Sequence, residues 1–262
     1  MSRRLYITAS RLTSVLAELT PDDRRIVDAV STLRLARTTQ LQRLLGVEGQ
    51  SSVRAFRRRL NHLTELGVLA RLERRVGGRK SGSSSYVYGL GLAGHRISNP
   101  DARARTPWTP RASWLAHALL VSELYVRLVE TKRLGRCALL GFAAEPRCWR
   151  TFSDGYVQTV LKPDAFVRLG LGDIESHYFV EIDRGTESPN TLHAKFSVYR
   201  RYWLNGQEQT HHGVFPSVLW VVPDDQRKGV VVDVAGRQPA DSWELHAVTT
   251  FEDAIAFMTR PP

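Results

Sequence analysis

Residues 51–72 read SSVRAFRRRLNHLTELGVLARL, and this stretch decides the fold of the first part of the chain. Its apolar side chains recur at helical spacing until Gly67, after which an apolar run typical of a strand begins. The predicted apolar face consists of Val53, Phe56, Leu60 and Leu63. The opposite face carries Arg54, Arg57, Arg58 and Asn61. We therefore predict an amphipathic helix, capped by Ser51 and Ser52, with one buried face and one basic face.

Two further helices and a lead-in segment are predicted before this one. Residues 1–19 fit a short amphipathic helix, and a longer helix is expected to begin at Pro21. A short helix should begin at Thr38 and end at Gly46, because glycine readily takes the left-handed conformation that ends a helix.

A β-hairpin is predicted after the basic helix. Its strands, residues 68–72 and 86–88, flank a glycine-rich tip that contains Arg79 and Lys80. Three helices followed by a hairpin with a basic tip are typical of a winged helix-turn-helix domain, which we place at residues 1–93.

The basic helix predicts binding of double-stranded DNA. An α-helix fits the major groove, where arginine and amide side chains reach base edges, and a basic hairpin tip can approach phosphates. The predicted DNA-binding residues are Ser52, Arg54, Arg57, Arg58, Asn61, Arg79 and Lys80. The alternative is a solvated, arginine-rich helix in a bundle that does not bind DNA.

The charge distribution favours a polyanionic partner for the N-terminal part. The net charge of the chain is +11, and residues 1–112 hold 21 Lys and Arg against 8 Asp and Glu, so the whole excess lies there. Neither a transmembrane helix nor a signal peptide is expected, and no membrane partner. Cys137 and Cys148 cannot complete a four-thiolate metal site, and a reduced bacterial cytoplasm is the expected setting.

The composition changes in the middle of the chain. Residues 94–112 contain three prolines and several arginines without an apolar period, which predicts a linker. From residue 113 to 262 helical and strand-like runs mix, which predicts an α/β (α+β) domain. The predicted elements are helices at 113–132 and 191–204 and strands at 138–142, 165–169, 178–182 and 217–222.

Two carboxylates lie at the ends of neighbouring predicted strands. Asp164 enters one strand and Glu181 ends another, so the two side chains converge if these strands pair. Hard oxygen ligands suit Mg²⁺ or Mn²⁺, with Asp183 as a further candidate ligand. Lys195 on the following helix could stabilise charge that develops on a phosphate. The predicted catalytic residues are thus Asp164, Glu181 and Lys195.

This motif resembles that of the PD-(D/E)xK nuclease superfamily. Pro163-Asp164 matches the first element and Glu181 the acidic residue of the second, while Asp183 stands where a lysine is expected. Some members carry the lysine on the following helix, the place of Lys195. The resemblance implies a restriction-endonuclease-like domain with a mixed central sheet and an additional acidic residue, for which Glu123 is the candidate.

Almost the whole chain resembles the replication-relaxation family of plasmids and other mobile elements, related to MobC-type relaxases. The matching features are the winged helix, the helix from His117 to Glu123, Pro163-Asp164, residues 179–187, Lys195 with Tyr199, and residues 218–222. This resemblance implies action on DNA during mobilisation or replication. Duplex DNA is the expected partner, and a second copy of the chain and other replication or mobilisation proteins are further candidates.

Simpler interpretations remain open for each candidate residue. Asp164 fits a turn before a strand, Glu181 with Asp183 and Arg184 fits a surface ion-pair cluster, and Lys195 fits a solvated helix position. Two functions follow: a Mg²⁺-dependent DNA nickase or endonuclease, or a transcriptional or replication regulator whose nuclease-like domain is inactive. Lys195 favours the first, the Glu-x-Asp departure favours the second, and whether the chain is an enzyme stays open.

Overall fold

The computed structural model describes residues 7–72, 85–100, 111–155 and 157–260. By their contacts these residues divide into two units, with the boundary after Val126. Both helices and strands are present, and the larger sheet combines parallel and antiparallel strands. The predicted α+β class with a mixed central sheet is therefore confirmed.

The N-terminal unit combines short helices with a three-stranded antiparallel sheet. Its helices are α1 (Ala9–Glu18), α2 (Pro21–Leu33), α3 (Thr38–Leu45), α4 (Gln50–Glu65), α5 (Leu92–Ser98) and the first part of α6 (Ala112–Arg133). Its strands are β1 (Leu35–Arg37), β2 (Leu69–Leu72) and β3 (Val87–Leu90), in the order β1-β3-β2. The hairpin strands β2 and β3 pair antiparallel, as predicted.

Local capping explains where these helices begin and end. Thr20 and Asp23 form a reciprocal capping box in front of Pro21, and Gly46 ends α3 with φ +68°. The predicted boundaries at Pro21, Thr38 and Gly46 are confirmed. The predicted serine cap of α4 is wrong, because the helix begins at Gln50.

Gly49 is the N-cap of α4, with φ +80° and no capping side chain. This left-handed backbone favours glycine over serine at the cap. Ser51 and Ser52 instead lie exposed in the first turn of the helix.

The N-terminal unit continues beyond the expected end at residue 93. Helix α5 covers residues 92–98, where the linker was expected to begin. Gly94 lets this helix pack directly on the backbone of Val68, because a Cβ at Gly94 would lie only 2.1 Å from the carbonyl oxygen of Val68. The first part of α6 also belongs to this unit, where Ser122 Oγ donates to the carbonyl of Leu35 at 2.5 Å. Residues 101–110 of the expected linker lie outside the described residues.

One described helix, α6, meets the length and composition of a membrane span, with a mean hydropathy of 1.2. Several of its apolar side chains are buried in the fold, among them Leu119, Val121 and Leu124. The same helix bears Glu123, whose carboxylate is ion-paired. The core helices of globular folds have the same length and apolar composition.

The C-terminal unit is built on a five-stranded sheet. Its strands are β4 (Ala138–Ala144), β7 (Ala165–Leu171), β8 (Ile174–Ile182), β9 (Ser217–Val222) and β10 (His246–Thr250), with β5 (Arg150–Asp154) and β6 (Val157–Leu161) forming a separate hairpin. Its helices are α7 (Pro189–Asn205), α8 (Gln207–His212), α9 (Asp225–Gly236), a 3-10 helix (Ala240–Leu245) and α10 (Ala254–Met258). The sheet order is β10-β9-β8-β7-β4, with β8, β9 and β10 parallel and β7 and β4 antiparallel.

The four predicted strands and the helix before β9 are confirmed, with boundaries that differ by a few residues. Helix α7 packs one apolar face on the sheet, where the ring of Phe196 stacks on Trp220 with centroids 4.4 Å apart. Tyr199 and Tyr202, one and two turns further along, are buried in the same cluster. This packing fixes the face of α7 that also carries Lys195.

His246 is a polar side chain inside this aromatic cluster. Trp220 Nε1 donates to His246 Nδ1 at 3.3 Å, and Nε2 is buried without a hydrogen-bond partner among the described residues. Burial lowers the pKa of His246 from 6.5 to about 4. The folded state therefore holds the neutral imidazole, and protonation favours the unfolded chain.

We expect this histidine to weaken folding in acid. Because its folded pKa lies below the unfolded value, its contribution to stability is complete above pH 6.5 and is lost as the pH falls towards 4. Relative to His246→Asn, which does not titrate, the wild type should lose up to about 3 kcal/mol over this interval. Urea unfolding of both proteins at pH 7 and pH 4.5 measures the difference, and an identical pH dependence would contradict the assignment.

Candidate functional site

Helix α4 has the two faces that the sequence predicts. Phe56, Leu60 and Leu63 are buried, and Val53 is half-buried. The exposed positions are Ser52, Arg54, Arg57, Arg58 and Asn61. None of the three arginines forms an ion pair or a hydrogen bond with another described residue, so their guanidinium groups face solvent.

The neighbouring Arg59 has a different role. It forms an ion pair with Asp23, which is 2% exposed, and donates through Nη2 to Thr20 Oγ1 at 2.6 Å. These contacts join α4 to the capping box of α2. Arg59 therefore stabilises the fold, whereas Arg54, Arg57 and Arg58 are available to a ligand.

Of the remaining predicted DNA-binding residues, the structure describes only Asn61. Asn61 Oδ1 accepts a long hydrogen bond of 3.5 Å from Arg71, whose guanidinium lies over the ring of Tyr86. This Arg71–Tyr86 pair on the hairpin was not predicted from the sequence. Arg79 and Lys80 lie outside the described residues.

The second predicted site forms where β7 and β8 pair. Ala165 lies opposite Val180, and the amide of Asp164 donates to the carbonyl of Val180 at 3.0 Å. Asp164 Oδ2 accepts from the amide of Ile182 at 2.7 Å, so the carboxylate is bound across the strands rather than within a local turn. This pairing brings Asp164 and Glu181 together at one edge of the sheet, as predicted.

Glu181 is more buried than Asp164, with 2% of its surface exposed. Its two oxygens accept from Lys195 Nζ at 2.9 Å and from the Tyr199 hydroxyl at 2.7 Å. Burial raises the pKa of Glu181; the Lys195 ammonium opposes this rise, and the neighbouring Asp164 adds to it. Glu181 is therefore held inside the fold by α7 and is not part of a surface ion-pair cluster.

Lys195 lies between two carboxylates. In addition to Glu181, it donates to Glu187 Oε1 at 2.7 Å, and its side chain is 35% exposed. Burial alone would lower the pKa of Lys195, but Glu181, Asp164 and Glu187 together raise it, so the ammonium stays protonated. Glu187 was not predicted as a site residue, although it closes the 179–187 segment that carries the family resemblance.

The other acidic candidates are engaged elsewhere. Asp183 accepts from Arg227 through Oδ2 and from the amide of Gly185 through Oδ1, so both its oxygens have partners other than Lys195. Glu123 accepts from Arg43 at 2.6 Å within the N-terminal unit. The structure thus brings together Asp164, Glu181, Glu187 and Lys195, which we call the carboxylate–lysine group. Asp183 has a different set of contacts.

The group has a net negative charge and one buried carboxylate oxygen to which a divalent cation could bind. Three carboxyl groups surround one ammonium, and Glu187 Oε2 is buried without a hydrogen-bond partner among the described residues. Within the described ranges no three His, Cys, Asp or Glu residues form a ready-made ligand cluster. A cation held by Asp164 and Glu181 would therefore complete its shell with water and phosphate oxygens, as Mg²⁺ commonly does.

The two candidate nucleophiles that the structure describes near this centre, Tyr199 and Cys148, are both held in their protonated forms. Burial and the neighbouring Glu181 raise the pKa of Tyr199 well above its ordinary value, which keeps the phenol protonated as a donor. Burial likewise raises the pKa of the Cys148 thiol to about 12, and Cys148 Sγ donates to the carbonyl of Pro163 at 3.0 Å.

Most of the chain matches the model of one protein family. No curated protein and no solved structure matches the chain significantly. The model of one family, described as replication-relaxation, matches residues 28–218. This range includes α4 and every member of the carboxylate–lysine group, and it covers well over half of the sequence. The chain therefore belongs to the replication-relaxation family.

Proposed function

We propose that this replication-related protein binds double-stranded DNA of a plasmid or another mobile element through the exposed face of α4. The observation that carries the proposal is the row formed by Arg54, Arg57 and Arg58, which have no ionic partner among the described residues while the opposite face of the helix is buried. A row of uncompensated guanidinium groups is suited to phosphates and guanine edges.

The order of elements in the N-terminal unit supports this proposal. Helices α2, α3 and α4 precede the antiparallel hairpin β2–β3, which is the order expected for a winged helix-turn-helix domain. In helix-turn-helix proteins the recognition helix lies in the major groove and the adjacent elements contact the backbone. The net charge of +11 adds a sequence-independent attraction to DNA.

Binding should weaken steeply with salt. If about six phosphates are contacted, the plot of log affinity against log salt should have a slope of about −5. Fluorescence anisotropy with a labelled duplex from the flanking region of the gene measures this slope between 50 and 300 mM salt, about the range over which counterion release dominates. A flat response would contradict an electrostatic interface.

We further propose that the C-terminal unit nicks or cleaves the bound DNA at the carboxylate–lysine group. The observation that favours this second activity is the convergence of Asp164, Glu181 and Lys195 from three different elements. Asp164 and Glu181 would hold Mg²⁺ or Mn²⁺, which when bound supplies a polarised phosphoryl oxygen and a water of lowered pKa.

The residues of the chain have separable tasks in this proposal. Tyr199 holds Glu181 through a 2.7 Å hydrogen bond and orients its carboxylate. Lys195 remains a cation and stabilises charge that develops on the phosphate. Asp164 is fixed by the amide of Ile182, so the carboxylate needs little reorganisation.

Nicking of supercoiled DNA that carries the gene and its flanking region tests the activity. The wild type should convert supercoiled to open-circular DNA with Mg²⁺ or Mn²⁺ and should not do so with EDTA. Tight binding without nicking of the same DNA in either metal would refute the cleavage proposal. It would favour the alternative of a regulator with an inactive nuclease-like unit.

A further inference from the structure

The loop between β8 and α7, residues 183–188, connects the carboxylate–lysine group to α9. Asp183, at the start of this loop, accepts from Arg227 Nε. Arg227 Nη2 also donates to the backbone carbonyl of Glu187 at 2.7 Å. One guanidinium therefore contacts both ends of the loop.

These contacts are shielded from solvent and fixed at both partners. The side chains of Arg227 and Asp183 are 12% and 1% exposed, so water screens their interaction little. Arg227 lies in the first turn of α9, where its amide donates to the N-cap Asp224 at 2.8 Å. Within the loop, Gly185 has φ +75°, a left-handed conformation that glycine permits as the chain turns back.

The fixed loop determines where the carboxylate of Glu187 lies. Its Oε1 is 2.7 Å from Lys195 Nζ, on the ammonium that also contacts Glu181 at 2.9 Å. A lysine side chain has a flexible stem with several rotamers, and one ion pair leaves much of that freedom. A second, independently held carboxylate restricts the ammonium to one place.

We propose that Glu187, held by Asp183 and Arg227, is a positioning residue that fixes the Lys195 ammonium for phosphate chemistry at this centre. The inference rests on the proposed cleavage activity and adds a residue to it. It also gives Asp183 a role: its carboxylate holds Arg227, and Arg227 holds the backbone of Glu187. The residue that departs from the Glu-x-Lys pattern thereby positions the lysine of the following helix.

Proton–nitrogen NMR of the lysine ammonium groups tests the positioning without requiring activity. The chain has only five lysines, and the signal of Lys195 is identified by its loss in Lys195→Ala. In Glu187→Ala the ammonium hydrogens of Lys195 should exchange about tenfold faster, the factor expected when one hydrogen bond to a charged partner is lost. Glu175→Gln, which removes an exposed carboxylate of β8 that pairs with Arg168, is the matched control.

Steady-state nicking tests the consequence of that positioning. Glu187→Ala should lower kcat roughly 10–100-fold with little change in KM, since supporting contacts act on the placement of a catalytic group rather than on substrate affinity. Glu187→Gln keeps an acceptor oxygen for the ammonium and should recover part of the loss. A residue with a merely structural role would change the melting temperature without this separation of kcat from KM.

The two readouts distinguish failure of this inference from failure of the proposed activity. An unchanged Lys195 signal in Glu187→Ala would overturn the positioning role, whether or not the wild type nicks DNA. A faster-exchanging Lys195 in a protein whose wild type never nicks would support the positioning and count against the cleavage. Equal loss of kcat in Glu187→Ala and Glu175→Gln would also overturn the proposal.

Discussion

Asp164→Asn is expected to lower the rate of DNA nicking by about 10³-fold, equivalent to about 4 kcal/mol of transition-state stabilisation. The substitution removes the charge that would hold the cation. It keeps a carbonyl oxygen that can accept from the amide of Ile182, the contact that now binds Asp164 Oδ2 at 2.7 Å. The fold should therefore survive, and the loss should reflect chemistry.

Two measurements separate these effects for Asp164→Asn. Anisotropy with the labelled duplex should give the wild-type affinity, because the exposed arginines of α4 are unchanged. Urea unfolding should give a stability within about 1 kcal/mol of the wild type, the value for loss of one ordinary contact. Full nicking activity in this variant would remove Asp164 from the reaction.

Simultaneous replacement of Arg54, Arg57 and Arg58 by alanine should weaken DNA binding at least about 10²-fold, since each specific contact contributes about 1–3 kcal/mol. These side chains are exposed and make no ion pair with another described residue. The stability of the protein should therefore change little. The salt dependence of the remaining binding should also become shallower, because fewer phosphates are neutralised.

Arg58→Ala and Arg59→Ala form a matched pair, since each removes one positive charge from adjacent positions of α4. Arg58→Ala should weaken binding and leave unfolding unchanged. Arg59→Ala should lower stability by about 2 kcal/mol, because it leaves the buried Asp23 without its guanidinium; the partial exposure of Arg59 keeps the cost below that of a fully buried pair. Loss of DNA affinity in Arg59→Ala together with loss of stability in Arg58→Ala would show that the two faces of α4 are wrongly assigned.

The parts of the fold that depend on local chemistry were predictable from the sequence. The capping box of Thr20 and Asp23 and the left-handed Gly46 act within a few residues. The start of α2 and the end of α3 therefore follow from the local sequence. Helix α5 was missed because its position depends on Gly94 fitting against the Val68 carbonyl, a tertiary contact. The β5–β6 hairpin was missed as well, although Gly155, directly after the last residue of β5 and with φ +67°, is typical of a tight turn.

The candidate site likewise combines features that the sequence pattern predicts with contacts that depend on the tertiary fold. The proximity of Asp164, Glu181 and Lys195 could be predicted, because neighbouring strands bring their ends together and a helix presents one face to the sheet. The role of Glu187 could not, because it depends on a loop held by Arg227, which lies in a helix beyond the next strand. For the same reason the sequence could not show that the carboxylate of Asp183 accepts from Arg227.

Site-specific photo-crosslinking tests whether the outer face of α4 contacts DNA. The photoreactive amino acid p-benzoylphenylalanine is placed at position 58 in the full chain, or at position 233 as a control on the exposed part of α9. Irradiation with the labelled duplex at low salt should give a strong protein–DNA crosslink from position 58 and little from position 233, and excess unlabelled duplex should abolish it. Equal crosslinking from the two positions, or none from position 58 under conditions where the duplex is bound, would contradict the account.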